Sequence, residues 1–155
     1  DIVARLLAKF NKTIAIAESC TGGLMAHKLT NIPGISRFFE RGVVSYSNRS
    51  KEDLLNVNPD TLEKFGAVSE ETAKEMAQGI RISSGTDIGV SITGIAGPDG
   101  GTPTKPVGLV YIGYSDSNIC FAEKHIFIGE RADIKEQSVN SAFHLVRKMI
   151  QDLGD

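Results

Sequence analysis

The chain has 155 residues, of which 41% are hydrophobic and 23% are charged, and its formal net charge is −2. This length and composition are typical of one soluble globular domain. Because the net charge is small and the chain has no long run of Lys or Arg, we expect no nucleic-acid partner. No apolar run is long enough to span a bilayer and no secretory signal opens the chain, so we expect a cytoplasmic protein with no membrane partner.

The cysteines and histidines do not follow the pattern of a metal site. Cys20 and Cys120 lie about a hundred residues apart, which excludes a disulfide framework and fits a reducing compartment. His27, His125 and His144 share no motif. We therefore expect neither a metal nor a cofactor.

The hydrophobic pattern predicts helices and strands that alternate along most of the chain. In chain order it predicts a helix over 2–10, a strand over 13–17, a helix over 22–30, a strand over 42–46, two short helices ending at Leu55 and Phe65, a helix opened by Ser69, a strand over 88–93, a loop over 94–106, strands over 107–114 and 119–128, and a helix over 131–153. The N-cap of the first short helix is Ser47 or Asn48. The last two strands form a hairpin that interrupts the alternation. The fold class is therefore α/β, a three-layer α/β/α sandwich with a mixed sheet of about five strands.

The most informative segment is Glu-Ser-Cys-Thr-Gly-Gly at residues 18–23. It places Ser19 and Cys20 at the carboxyl end of a strand, facing the first turn of a helix. Open α/β sheets bind ligands at that edge, and a helix N-terminus offers unpaired N–H groups to an anion or an oxyanion. The pattern indicates nucleophilic chemistry by Ser19 or by Cys20, although a cysteine here is often a buried small hydrophobe.

A candidate base follows the second strand. If the first three strands are parallel, Ser19, Tyr46 and Thr93 converge at one edge of the sheet. No histidine lies in a motif with Ser19, so the candidate base is Lys51, which must be neutral to accept a proton. Burial, or a positive charge such as Arg49 with the adjacent helix N-terminus, would have to lower its pKa from about 10.4. The alternative is a solvated surface lysine.

The loop after Thr93 has glycines at 94, 97, 100 and 101, which let a backbone approach a ligand closely. It matches neither the P-loop nor the dinucleotide-binding fingerprint. A plain long turn is the alternative. Lys105 and Arg131 are candidate phosphate partners, although single basic residues in loops are usually solvated.

Together these motifs resemble the C-terminal domain of the CinA family, the competence/damage-inducible proteins. The matching segments, in the family's order, are 17–23, 42–48 with Lys51 after it, 66–69, 93–102 and 105–108. Stand-alone versions of that domain are nicotinamide-mononucleotide amidases. The resemblance implies a single amidase domain over 1–155 that hydrolyses nicotinamide mononucleotide to nicotinate mononucleotide and ammonia in pyridine nucleotide salvage. It also implies that Ser19 is the nucleophile and Lys51 its base, assisted by Tyr46 and Thr93.

The expected substrate-binding residues flank this catalytic set and are Thr21, Gly22, Gly23, Gly94, Gly97, Gly100 and Lys105. N–H groups near Thr21 and Gly22 would stabilise the oxyanion, and the glycine-rich loop with Lys105 would hold the phosphate. We expect a homo-oligomer with a small nucleotide as substrate. The alternatives are a non-catalytic nucleotide-binding or assembly domain, and a hydrolase that uses Cys20.

Overall fold

The computed structural model describes residues 1–154, and every predicted helix and strand is present in them. In chain order they are α1 (Ile2–Phe10), β1 (Ile14–Glu18), α2 (Leu24–Thr30), β2 (Phe39–Val44), α3 (Asn48–Leu55), α4 (Pro59–Phe65), α5 (Glu70–Ser84), β3 (Ile88–Gly94), β4 (Leu109–Ser115), β5 (Cys120–Ile126) and α6 (Arg131–Asp152). Over this described part of the chain, none of the helices combines the length and hydropathy that crossing a membrane requires.

The strands form one mixed sheet in the order β2-β1-β3-β4-β5. Strand β1 pairs in parallel with both β2 and β3, whereas β3–β4 and β4–β5 are antiparallel. The three-layer α/β/α sandwich with a mixed five-stranded sheet is confirmed. The carboxyl ends of β1, β2 and β3 meet at one edge, as the sequence predicted.

Alternate residues of β1 belong to two separate cores, because successive side chains of a strand point to opposite faces. Ile14 and Ile16 face the core that α1, α2 and α6 cover, whereas Ala15 and Ala17 face the smaller core under α3, α4 and α5. All four are fully buried. A strand buried on both faces reads as a continuous apolar run, which is how β1 appears in the sequence.

A glycine in α5 lets α3, the helix that carries Lys51, lie directly against it. A Cβ atom on Gly79 would stand 1.8 Å from the carbonyl oxygen of Leu55 at the end of α3. Because that distance is far below van der Waals contact, any larger residue at 79 would push α3 away from α5. The position of Lys51 therefore depends on this close approach.

Glycine conformation explains two element boundaries that differ from the predicted ones. Helix α2 begins at Leu24 rather than at 22 because Gly22 and Gly23 have φ values of 60° and 102°, in the left-handed region. Strand β4 begins at Leu109 rather than at 107 because Gly108 has a φ of 94°. Apart from β2, the other boundaries agree with prediction to within two residues.

Candidate active site

A cavity of about 270 Å³ opens at the edge of the sheet where β1, β2 and β3 end. The four predicted catalytic residues all line it, and so do three predicted substrate-binding glycines: Ser19, Tyr46, Lys51, Thr93, Gly94, Gly97 and Gly100. These residues are far apart in sequence. Parallel pairing of β1 with β2 and β3 is what brings them together.

Two local features carry Lys51 to this cavity. Helix α3 begins after Ser47, one of the two predicted N-caps, whose hydroxyl oxygen accepts a hydrogen bond from the Ser50 N–H at 3.0 Å. Strand β2 ends at Val44, two residues earlier than predicted. Residues 45–47 therefore connect the end of the strand to the start of α3 at Asn48. Lys51 consequently ends the first turn of α3 with only 1% of its surface exposed.

The Nζ atom of Lys51 is surrounded by three oxygen atoms. It lies 3.1 Å from Ser19 Oγ, and it donates to the carbonyl oxygens of Ser45 and Tyr46 at 2.8 and 3.2 Å. A neutral amine has two N–H groups and one lone pair. The two carbonyls can therefore take both N–H groups while the lone pair faces the Ser19 hydroxyl. This is the arrangement that a general base requires.

Burial lowers the pKa of Lys51 below its ordinary value of 10.5, because the charged ammonium loses solvation inside the protein. Arg49 does not contribute to this lowering of the Lys51 pKa, contrary to expectation. Its side chain is 90% exposed and lies 3.4 Å from the Asp53 carboxylate. Desolvation, rather than a neighbouring positive charge, favours the neutral amine. The alternative that Lys51 is a solvated surface residue is wrong.

The thiol of Cys20 also lines the cavity, but its chemistry differs from that of the serine. Burial raises the pKa of Cys20 to about 11, and the Glu18 carboxylate adds to this effect. The thiol therefore stays protonated near pH 7, and the thiolate is the nucleophilic form. These observations favour Ser19 over Cys20 as the nucleophile.

Glu18, the last residue of β1, closes the turn that carries Ser19. Its buried carboxylate accepts hydrogen bonds from the N–H groups of Met25 at 2.9 Å and Ala26 at 3.0 Å, in the first turn of α2. The Gly22 N–H donates to the carbonyl of Ser19 at 3.1 Å. The expectation that unpaired N–H groups of this helix face a ligand is wrong, because Glu18 already occupies them.

Thr21, Gly22 and Gly23 shape the turn and do not line the cavity. The Thr21 hydroxyl donates to the Glu18 carboxylate at 2.6 Å, and the two glycines supply the left-handed backbone of the turn. Within residues 1–154, the N–H groups of Cys20 and Thr21 have no acceptor on another residue. Only Cys20 of these two lines the cavity, so its N–H is the donor beside Ser19 that remains for a ligand.

Replacing Glu18 by glutamine is expected to lower the free energy of unfolding by about 1–3 kcal/mol, because one amide donor would then face a buried N–H donor. Chemical denaturation measures the loss. Glu63→Gln is the matched control, since Glu63 is an exposed carboxylate in α4. Equal stability of the two variants would show that the Glu18 carboxylate does not hold the turn.

Thr93 and Tyr46 have different environments in the cavity. Thr93 is buried, and its hydroxyl donates to the carbonyl of Ala67 at 2.8 Å, which ties β3 to the segment before α5. Tyr46 is 61% exposed, and its hydroxyl oxygen accepts a hydrogen bond from Arg131 at 3.1 Å. Thr93 is therefore a fixed part of the wall, whereas Tyr46 stands at the mouth.

Arg131, rather than Lys105, is the cation at the cavity. Its guanidinium donates to the Gly97 carbonyl at 2.6 Å as well as to Tyr46, so it joins the glycine-rich loop to the end of β2. The ammonium of Lys105 instead donates to the carbonyl of Phe65 at the end of α4, and Lys105 does not line the cavity. The sequence indicates both as candidate phosphate partners but predicts only Lys105 as a site residue. Arg131 is the first residue of a long helix, but this position does not show that its side chain reaches Gly97.

The fold and this site define a class: a three-layer α/β/α protein with a buried serine–lysine pair at the edge of a mixed sheet. The chain belongs to the CinA family, because the family model described as CinA C-terminal domain matches residues 1–150. A CinA-like protein of Kosmotoga olearia is 52% identical over 153 residues, which are 99% of this chain and 37% of that protein. A Clostridium tetani relative, named as competence-damage inducible, is 54% identical over 147 residues, 95% of this chain and 36% of that protein.

Solved structures share the fold over nearly the whole chain. A CinA superfamily protein from Klebsiella pneumoniae has a TM-score of 0.94 at 32% identity, covering 97% of this chain and 94% of that chain. The competence/damage inducible protein CihA from Agrobacterium tumefaciens has a TM-score of 0.89 at 37% identity, covering 94% of each chain. In contrast, the chain spans only 36% to 37% of the length of the curated relatives it matches.

Proposed function

We propose that the chain hydrolyses the carboxamide of nicotinamide mononucleotide, giving nicotinate mononucleotide and ammonia. One observation carries the proposal: the buried Lys51 Nζ lies 3.1 Å from Ser19 Oγ, with burial lowering the pKa of the lysine. A serine next to a neutral amine is an activated nucleophile. Hydrolysis of this amide would serve the salvage of pyridine nucleotides.

In the first half of the reaction, Lys51 accepts the proton of the Ser19 hydroxyl while Oγ bonds to the carboxamide carbon. The N–H group of Cys20, which lines the cavity, is the candidate donor to the resulting oxyanion. The carbon–nitrogen bond then breaks, and the lysine returns its proton to the departing NH₂ group. Ammonia leaves, and the acyl group remains on Ser19 as an ester.

The second half of the reaction removes the acyl group with water. The neutral Lys51 amine accepts a proton from that water while the water oxygen bonds to the ester carbon. The bond to Ser19 breaks, and the proton returns to Oγ. The products are a restored serine and a carboxylic acid, which releases its proton to solvent and becomes nicotinate. One amine therefore performs both proton transfers in each half.

The nucleotide phosphate is the remote anchor in this proposal. Arg131 at the mouth of the cavity supplies a guanidinium, whose planar set of N–H donors suits a phosphate. Gly97 and Gly100 have φ values of 80° and 94°, so the loop around them presents backbone that other residues rarely form. We propose Arg131 in the phosphate-binding role that the sequence analysis gave to Lys105.

An ammonia-release assay with nicotinamide mononucleotide and the purified chain tests the proposed function. Turnover that disappears in Ser19→Ala would support it. The competing candidate is a nucleotide-binding or assembly domain without catalysis. Binding of the mononucleotide by calorimetry, with no ammonia released, would favour that candidate and overturn the amidase proposal.

Nicotinamide mononucleotide should be a far better substrate than bare nicotinamide, with a kcat/KM at least about 100-fold higher. The remote phosphate contributes binding energy that positions the reacting carbonyl, and bare nicotinamide has no such anchor. Arg131→Met should lower kcat/KM for the mononucleotide much more than for nicotinamide. Arg147→Met, on an exposed position of the same helix, is the control. An equal fall in kcat/KM for both substrates would show that Arg131 does not bind the phosphate.

Activity should survive dialysis against EDTA. The proposed mechanism uses an amine and a backbone donor, and among residues 1–154 no group of three or more His, Cys, Asp or Glu side chains is placed to hold a metal ion. Ammonia release before and after chelation measures the effect. Loss of turnover that added metal restores would contradict the mechanism.

A further inference from the structure

A second, larger cavity lies beside the candidate active site. Its volume is about 820 Å³, and Ala96 and Arg131 line both cavities, so the two are adjacent. Small-molecule sites commonly have volumes of roughly 300–1,000 Å³. The proposed hydrolysis of a mononucleotide uses the smaller cavity and gives the larger one no role.

Part of the lining of the second cavity is apolar. Pro98 and Val107 come from the glycine-rich loop and its end, and Ala132 comes from the first turn of α6. None of these side chains offers a hydrogen-bonding group. Apolar lining of this kind suits an aromatic ring, such as a nucleobase.

The remaining lining is charged, and both signs are present. The Glu130 side chain accepts a hydrogen bond from the Asp133 N–H in the capping box of α6. Its carboxylate has further lone pairs of the kind that accept hydrogen bonds from ribose hydroxyls. Arg131 and Lys135, four residues apart on α6, offer two cations, and within residues 1–154 no carboxylate forms an ion pair with either. A Cβ atom on Gly22 would lie 3.9 Å from Lys135 Nζ, which places this cation beside the turn that carries the nucleophile.

These three groups of residues match the parts of a nucleotide. The cations suit phosphate, and Arg131 also lines the smaller cavity while Lys135 lies beside the turn that carries Ser19. The carboxylate suits ribose, and the apolar residues suit a base. We propose that the second cavity binds the other nucleotide half of a pyridine dinucleotide. The pyridine carboxamide then lies at Ser19, and the pyrophosphate lies at Arg131 and Lys135. This inference rests on the proposed function for the placement of the pyridine ring.

Calorimetric titration with AMP tests the second cavity without any turnover. AMP should bind the wild-type chain, and Ala132→Trp, which fills the cavity from a surface helix position, should raise the Kd by about tenfold or more. Asn140→Trp is the matched control, because Asn140 is exposed on the same helix and lies outside both cavities. Equal AMP affinity in the wild type and Ala132→Trp would overturn the proposal.

Competition in an assay that measures nicotinate mononucleotide by chromatography tests the dinucleotide as a whole, because NAD with its carboxamide at Ser19 would itself release ammonia. NAD should compete with nicotinamide mononucleotide, and Ala132→Trp should raise the ratio of the NAD Ki to the mononucleotide KM by about tenfold. Lys135→Met should raise the NAD Ki, whereas Lys148→Met, an exposed lysine of the same helix, should not. Absence of NAD competition in an active enzyme would overturn the second site and leave the amidase intact. If no mononucleotide is hydrolysed, the proposed function is wrong. The AMP titration still shows whether the second cavity binds a nucleotide.

Discussion

Replacing Ser19 by alanine is expected to abolish the hydrolysis of nicotinamide mononucleotide, with kcat falling by roughly 10³-fold or more. The variant removes the only hydroxyl oxygen that lies beside the buried amine of Lys51 at 3.1 Å in the described residues. Loss of this single oxygen leaves the substrate pocket in place, so KM should change much less than kcat. Ammonia release under saturating substrate measures the effect.

The neighbouring cysteine supplies the control for this experiment. Cys20→Ala should keep most of the activity, because burial raises the pKa of that thiol to about 11 and leaves it protonated. Ser19→Ala should fold normally, since the Ser19 N–H still donates to the Ile92 carbonyl at 2.9 Å. Near-normal activity in Ser19→Ala, or complete loss in Cys20→Ala, would contradict the assignment of the nucleophile.

The fold was predictable because its signals are local. The apolar run before Glu18 indicates a strand buried on both faces, and the period of the last helix is visible in its apolar stripe. Turn residues, such as those between β4 and β5, mark the hairpin. Boundaries were less predictable where glycine adopts a left-handed φ, as at Gly108, because sequence alone does not show which sign of φ a glycine takes.

The proximity of the site residues could be predicted from the strand topology alone. Once the first three strands are parallel, Ser19, Tyr46 and Thr93 must share an edge of the sheet. The finer arrangement did not follow, because it depends on contacts between distant segments. Nothing local to Arg131 indicates that it reaches Gly97, 34 positions earlier, and nothing local to Lys105 indicates that it reaches Phe65.

The electrostatics of the site were the hardest part to predict, because they depend on burial. The sequence offered Arg49 as the cause of a lowered lysine pKa, yet that residue points to solvent. The predicted free N–H groups at the start of α2 are likewise occupied, because the Glu18 carboxylate accepts hydrogen bonds from them. Both predictions are wrong because contacts in space are not determined by proximity in sequence.

Lys51→Arg and Lys51→Met are both expected to be as inactive as Ser19→Ala. Arginine keeps the positive charge but does not deprotonate in proteins, so it cannot accept the serine proton. Methionine keeps a similar length and apolar volume without a base. Substantial activity in Lys51→Arg would show that the lysine acts only as a positive charge.

The pH dependence of ammonia release by the wild-type chain should report the protonation state of Lys51. Activity should rise with pH through the folded-state pKa of Lys51, which lies below 10.5, because only the neutral amine accepts a proton.

Between the folded-state pKa of Lys51 and 10.5, the unfolded chain binds a proton that the folded chain does not. Stability should therefore fall as pH drops through this window, by up to about 1.4 kcal/mol per pH unit, and level off below it. Lys51→Met should remove this contribution to the slope, and denaturation of both proteins across the alkaline range measures the difference. Identical slopes would show that Lys51 is not neutral in the folded protein, and the serine–lysine mechanism would lose its base.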